Sequence, residues 1–449
     1  PADGETNVVT TGKIIVRFNE SVVAKAGAAG TLTNNATKKS VKITPVVNNA
    51  KVSFPYENLD LSTSYTFTIP ANTFTDLAGN ICAREYKATF TTADSHPVPP
   101  PVLDSHNRLW YNRPASYWEE ALPLGNGRLG AMVSGSVAMD TIQLNEDTFW
   151  GQSPNKNYNS KAKAVLSQVR DYIFNKDYVA AQKLAIPNFQ SEGSHGAQYQ
   201  AAGCVLLGFP GHRYNDEDPA ATDDARDVQA YVRDLDMSRA VASTSYVADG
   251  VTYTREVFTS FADNVTVIRL EASQPGKLDF NLCYAAPIKT NMAKLGFCEV
   301  TGDGLLKASL VPAREQSEKV DNKLNCFTFI KVINDGGTLS TSGKRNIMQQ
   351  GIVAGNNAAP AIEVSGANSA TIIISSATNF ISYNDISGDA EAKALAAIND
   401  YIAKEKDYDA TLADHTAKYQ EQFNRVSLDL GENPAQEKKD TETRIKEYY

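Results

Sequence analysis

Apolar and polar residues alternate with a period of two along most of this chain, the mark of half-buried strands. Early runs are Ile14-Ile15-Val16-Arg17-Phe18, Val52-Ser53-Phe54 and Tyr65-Thr66-Phe67-Thr68-Ile69. Later ones are Ser243–Val247, Val251–Thr254, Val265–Leu270 and Ala370–Ile374. Asp249-Gly250 joins two of these runs and predicts a two-residue hairpin. Two stretches change period. Lys161–Leu184 places Val165, Val169, Tyr172 and Ile173 on one face of a predicted helix. Asp389–Tyr419 does the same with Ala394, Leu395, Ala397, Ile398, Tyr401 and Ile402. A short strand, Arg425–Gly431, and a charged, helix-like segment to Tyr449 are expected after it.

Punctuation between the runs divides the chain. Residues 1–95 read as a small sandwich, and His96-Pro97-Val98-Pro99-Pro100-Pro101 opens a stiff linker over 96–106. Residues 107–385 are expected to form one large antiparallel sandwich, and 386–449 a helical linker. The length of 449 residues, with 42% hydrophobic and 21% charged, is ample for cores of this size. No apolar run reaches the roughly 18–20 residues of a membrane-spanning helix. A net charge of −9 opposes non-specific nucleic-acid binding, which needs cations to neutralise phosphates.

The chain opens at Pro1 with neither Met nor an apolar leader, so a processed or trimmed N-terminus is expected. Five cysteines (Cys82, Cys204, Cys283, Cys298, Cys326) show no metal-ligand spacing. Their odd number leaves at least one thiol free or paired between chains. A disulfide among Cys283, Cys298 and Cys326 stays open, because they fall in neighbouring strand-like runs.

Candidate chemistry is sparse. Gly125-Asn126-Gly127-Arg128-Leu129-Gly130 has the spacing of a dinucleotide loop, but no helical stripe follows it. A glycine-rich turn feeding a strand is expected instead. Asn145-Glu146-Asp147-Thr148-Phe149-Trp150-Gly151 combines carboxylates, an amide and an indole, a mixture suited to sugar hydroxyls and a sugar face. The competing reading is a structural turn whose side chains bond nearby backbone. His195 and Gln198-Tyr199-Gln200 lie in a Gly/Ser-rich stretch able to reach a ligand. Trp110 and Trp118, with Tyr111 and Tyr117, are expected to serve core or interface packing rather than to be ligand platforms. Asp216-Glu217-Asp218 and Asp223-Asp224 lack calcium-loop spacing and read as a solvated loop. No GxSxG elbow accompanies the five histidines. Glu119 and Glu120 are adjacent and diverge on any regular element, so they are not a glycosidase pair.

Two resemblances sharpen the reading. Pro1-Ala2-Asp3-Gly4, Arg17-Phe18-Asn19-Glu20 and Phe74-Thr75-Asp76-Leu77-Ala78-Gly79-Asn80 resemble bacterial Ig-like modules. Trp118–Val133 followed by Gln143–Gly151 resembles the N-terminal region of glycoside hydrolase family 95, inverting α-L-fucosidases and related α-L-galactosidases. Arg233-Asp234-Leu235-Asp236, Val251–Phe258, His415, Tyr419 and Phe423–Gly431 continue that resemblance in order. It implies a β-supersandwich, a helical linker, an (α/α)6 barrel that carries the catalytic glutamic acid, asparagines and aspartate, and a small β domain that closes the chain. No residue here matches those catalytic positions, and the barrel is expected to be absent from this chain.

The expected fold is therefore mainly β: an Ig-like sandwich, a β-supersandwich and a helical linker. The expected function is that of the non-catalytic N-terminal fragment of an exported glycoside hydrolase. Its substrate would be a glycan, met through the parent enzyme, and its sandwich would pack against the catalytic barrel. Asn145, Glu146, Asp147, Trp150 and His195 are the candidate rim residues; no catalytic residue, metal or cofactor is expected. A stand-alone carbohydrate-binding or adhesion protein is the alternative.

Overall fold

A computed structural model describes the chain except residues 2, 7, 95–100, 104–105, 152, 155–157, 191–197, 216–224, 288–292, 313–322, 346–347, 350–351, 354–358, 432 and 449. It divides into two compact units, Pro1–Pro99 and Pro100–Tyr449.

The first unit is built from short antiparallel sheets. One has the order Gly12–Arg17, Lys51–Tyr56, Val46–Asn48. A second runs Ser40–Ile43, Gly30–Asn34, Ser64–Ile69, Tyr86–Thr91. The alternation predicted for Tyr65–Ile69 points Tyr65, Phe67 and Ile69 inward. They meet Ile14, Leu32, Val52, Phe54, Phe74 and Phe90 in one core. The Asp76–Asn80 turn closes on itself, Asp76 Oδ1 accepting from the Asn80 backbone at 2.7 Å.

The second unit is a two-layer antiparallel sandwich. Its nine-stranded sheet runs Arg108–Tyr111, Gln229–Asp236, Val241–Ala248, Val251–Thr259, Thr266–Ala272, Ser369–Thr378, Cys326–Asp335, Leu305–Val311, Lys294–Thr301. The seven-stranded sheet runs Leu122–Gly125, Leu129–Val133, Met139–Glu146, Cys204–Gly208, Leu278–Ala285, Ala359–Ala367, Thr338–Arg345. Between them lies a core including Ile142, Leu144, Val205, Leu282, Ile268, Leu270, Ile330 and Ile372. Asp249 and Gly250 both take positive φ (48° and 74°), as the predicted hairpin requires.

The outer face of the nine-stranded sheet is also apolar. Val241, Phe258, Val267, Phe329 and Ile373 bury it against Ala394, Ile398 and Tyr401 of the helix Ala390–Ala403. This explains the unbroken Ile372-Ile373-Ile374 run: a strand covered on both faces reads as continuous hydrophobicity.

Several expectations need correction. The predicted Lys161–Leu184 helix is two helices, Ala162–Phe174 and Tyr178–Phe189. Lys176 turns left-handed between them (φ 62°), and Asp177 caps the second through Ala180 N at 3.0 Å. Asp389–Tyr419 is likewise split into Ala390–Ala403 and Tyr408–Phe423. Glu405 has φ 50°, and Asp407 caps Ala410 N at 2.8 Å. Arg425–Gly431 joins no sheet among the described residues. All five cysteines are free thiols, so the bridge left open among Cys283, Cys298 and Cys326 is not formed.

Candidate functional site

The glycine-rich run is a hairpin tip. Gly125 pairs with Gly130, and Asn126 Oδ1 accepts from Arg128 N (3.0 Å) and Leu129 N (2.8 Å). The Asn126 amide nitrogen donates to Ser260 O at 2.9 Å and so ties this tip to the other sheet. A strand, not a helix, follows the turn, so the dinucleotide spacing is coincidental.

Asn145 sits opposite Gly130, and Glu146 ends its strand fully buried. Glu146 Oε2 accepts from Thr148 N (2.8 Å) and Thr148 Oγ1 (2.7 Å). The Thr148 hydroxyl in turn meets that of Thr378 on the opposite sheet. Glu146 Oε1 makes no hydrogen bond, and Arg128 Nη2 stands 3.5 Å from it. Burial raises the Glu146 pKa above the ordinary carboxylate value, against the lowering influence of the Thr148 bonds and Arg128.

Asp147 is exposed, and its backbone N–H donates to Arg128 O at 3.0 Å. Trp150 is 43% exposed; its indole N–H donates to Asp147 O at 3.0 Å. Its ring stands edge-on to Tyr199, with centroids 5.2 Å apart. The Tyr199 hydroxyl donates to Glu146 O at 3.0 Å, and burial pushes its pKa up to about 12. Four of the five predicted rim residues therefore share one corner with Arg128 and Tyr199. His195 lies outside the described residues, as do Asp216–Asp218 and Asp223–Asp224.

This corner presents a cation, a carboxylate and an indole face to solvent, which suits polar ligands. Glycoside hydrolysis needs two carboxyl groups flanking a sugar. Here the second carboxyl, Glu146, has no exposed surface. Arg128 was legible only as a turn residue; its partnership with Glu146 joins two hairpins and has no local signature.

The other motif residues hold the sandwich together. Arg113 forms a bidentate pair with Glu120 (2.5 and 2.8 Å) and bonds Glu442 at 2.5 Å. These bonds hold the Glu120 carboxyl down at about 2. Arg233 donates to Arg113 O and Glu120 O, both at 2.8 Å, and lies 4.1 Å from the Tyr111 ring centroid. Thr441 Oγ1 accepts from Trp110 N at 3.0 Å, docking the helix Thr441–Tyr448. Trp110 is core as expected. Trp118 and Tyr117 are exposed, because the single turn Trp118–Glu120 aims Glu120 inward instead.

Arg255 and Glu256 face opposite ways. Arg255 reaches Ser136 O (2.6 Å), Asp140 (3.3 Å) and Tyr246 (2.9 Å) inside the sandwich. Glu256 accepts from Tyr408 at 2.9 Å on the helical side. His415 Nε2 pairs with Arg239 O at 3.0 Å, and the Tyr419 hydroxyl donates to Met237 O at 2.7 Å. These bonds seat the helix Tyr408–Phe423 on the sandwich.

An antiparallel supersandwich with docked helices, bolted by these motif residues, defines a glycoside-hydrolase N-terminal domain. Residues 109–383 match the family described as glycosyl hydrolase family 65, N-terminal domain, and the chain belongs to it. Residues 1–92 match a bacterial Ig-like domain.

Among curated relatives, α-L-fucosidase 2 of Arabidopsis thaliana is 27% identical over 340 residues, covering 72% of this chain and 36% of its own length. Probable α-fucosidase A of Aspergillus oryzae is 28% identical over 181 residues, covering 38% of this chain and 22% of that protein. Its Aspergillus niger counterpart is 30% identical over 176 residues, covering 37% and 20%. The chain thus spans about a third of the Arabidopsis relative. These relatives agree with the family-95 resemblance of the motifs. Among the described residues no helix is long and apolar enough to cross a membrane, and no group of three or more His, Cys, Asp or Glu is placed to hold a metal ion.

Proposed function

We propose that this chain is the non-catalytic N-terminal portion of an exported, inverting glycoside hydrolase that releases α-L-fucose, or the related α-L-galactose, from glycans. The observation that carries the reading is the similarity to α-L-fucosidase 2 across 340 residues. Hydrolysis in the parent would be a single displacement, with water entering opposite the protonated leaving group. The sandwich supports the catalytic barrel, and the corner at Asn145, Asp147 and Trp150 shapes the substrate rim. Glu146 acts there by positioning Arg128 and the Thr148 turn, and His195 belongs to the same rim. Domain limits of 1–95, 96–106, 107–385 and 386–449 serve this organisation.

The exposed indole of Trp150 beside Arg128 and Asp147 favours a second reading, a carbohydrate-binding or adhesion protein acting without a barrel. Release of L-fucose from 2′-fucosyllactose separates the two. This chain should be inactive, and a polypeptide continuing to the length of the Arabidopsis relative should be active. Activity in this chain overturns the placement of the chemistry. Inactivity in both, with glycan binding by this chain, favours the second reading.

A further inference from the structure

The helix Ala390–Ala403 seals Val267, Phe329 and Ile373 on the outer face of the nine-stranded sheet and then ends. Further along the same strands lies a more polar row. Glu256, Arg269, Thr371 and Ile333 stand side by side there on four neighbouring strands. Beyond the helix the chain reverses at Glu405 (φ 50°), and Tyr408 and Asp409 begin the helix Tyr408–Phe423. A cavity of about 330 Å³ is left between them, lined by Arg269, Thr371 and Ile333 from the sheet and by Tyr401, Tyr408 and Asp409 from the helices. It is separate from the Trp150 corner. Thr378, whose hydroxyl meets Thr148 at that corner, lies seven residues along the strand Ser369–Thr378 from Thr371. That is roughly 23 Å at about 3.3 Å per residue.

Most polar groups around the cavity are already committed. Arg269 Nε donates to Glu271 Oε1 at 2.9 Å and Nη1 donates to Thr371 Oγ1 at 3.1 Å, which fixes the guanidinium plane. Its central carbon stands 5.5 Å from the centroid of the Tyr408 ring, whose hydroxyl donates to Glu256 at 2.9 Å. Asp407 caps its helix, and Lys406 pairs with Asp414. Among the described residues this leaves Arg269 Nη2 as a donor, with the Asp409 carboxylate and the second Glu271 oxygen as acceptors. Ile333, 45% exposed, adds an apolar wall. Charge narrows the ligand. Glu271, Asp407 and Asp409 outnumber Arg269 and Lys406, which opposes an anion, and the fixed guanidinium opposes a cation. A neutral ring bearing several hydroxyls and a C–H face satisfies the donor, both acceptors and the apolar wall at once. We propose that this cavity binds one pyranose ring of a neutral glycan. Arg269 donates to a ring or hydroxyl oxygen, Asp409 and Glu271 accept from hydroxyls, and Ile333 lies against a C–H face. That this ring belongs to the hydrolase's own glycan, giving a hold on it apart from the rim, rests on the proposed substrate.

Titration calorimetry on residues 1–449 with lactose and with 2′-fucosyllactose tests this. At least one should bind saturably with a Kd of about 1 mM, the scale of a ligand held through one ring. Arg269→Gln removes the charged donor and should weaken binding at least about 10-fold. Asp409→Asn should weaken it at least about 5-fold. Because Asp409 is exposed at the start of its helix, that variant should keep its Tm within about 2 °C, so a loss of binding is not a loss of fold. Trp150→Ala should change the Kd by less than about 2-fold, since the corner is remote from the cavity. No saturation by either sugar below about 20 mM overturns the proposal, as does binding that survives both cavity substitutions. Binding lost in Trp150→Ala places the sugar at the rim and overturns it as well. Saturable binding of acetate or spermidine, with neither sugar bound, assigns the cavity to a charged ligand and overturns the pyranose. Fucose release by the longer polypeptide, with no sugar bound by residues 1–449, overturns the cavity alone. Sugar binding lost in both cavity variants, beside a longer polypeptide that releases no fucose, supports the cavity and overturns only the proposed activity.

Discussion

Replacing Arg255 by Met should destabilise the sandwich more than any surface change. Arg255 stands on the nine-stranded sheet and Asp140 on the seven-stranded one, and their side chains are 3% and 2% exposed. The guanidinium bonds Ser136 O (2.6 Å), Val137 O (3.1 Å), the Tyr246 hydroxyl (2.9 Å) and Asp140 (3.3 Å). It also lies 3.7 Å from the Phe209 ring centroid. Methionine restores part of the packing but strands a buried carboxylate and removes a donor from three other oxygens. Breaking one side of a buried pair costs about 3–5 kcal/mol. For the unit Pro100–Tyr449 that is roughly 4–7 °C in Tm. Calorimetry at pH 7 should show the sandwich transition fall by that amount while the Ig-like transition stays in place.

The loss should shrink as pH falls towards 4. In the variant the folded state holds Asp140 above its unfolded pKa, so protonation relieves the penalty at low pH and the penalty grows as pH rises. Asp140→Asn in the same background should recover part of the stability. A loss below about 1 kcal/mol in Arg255→Met would refute the view that this pair bolts the two sheets together.

Further outcomes follow from the same geometry. Burial, with Arg255 nearby, lowers the His212 pKa to about 4, so the unfolded chain takes up a proton first as pH falls. Stability should be intact above about pH 6.5 and decline towards pH 4 by up to roughly 3 kcal/mol, a dependence that His212→Gln should flatten in urea titrations. Gly203→Ala should cost at least about 2 kcal/mol, because Gly203 has φ 81° and an added Cβ would lie 2.3 Å from the Tyr284 hydroxyl oxygen. Wild-type stability in chemical denaturation would contradict it. Trp150→Ala in a catalytically complete polypeptide should raise KM about 10-fold, as loss of one exposed stacking face would. Unchanged KM and kcat would remove Trp150 from the rim.

The sequence by itself determined the strands of both units that were named from it, because burial on one face of a sheet imposes a period of two. The same period at Arg425–Gly431 corresponds to no strand among the described residues. It also located the Asp249-Gly250 turn, since positive φ at two consecutive positions narrows the residue choice. Helix breaks at Lys176 and Glu405 escaped it. Each is a single left-handed residue of ordinary type, followed by an aspartate cap that periodicity overlooks. The family motifs were visible as strings, yet their roles were not. Arg233 and Arg255 point into the sandwich while Asp234 and Glu256 point away, a division set by strand register and by what each sheet faces. The candidate rim was legible as a mixture of residue types at 145–151. That Glu146 is sealed behind Thr148 and set against Arg128 depended on two hairpins meeting at one end of the sheet. Long-range pairing decides such contacts, and residues far apart in sequence carry no local trace of it.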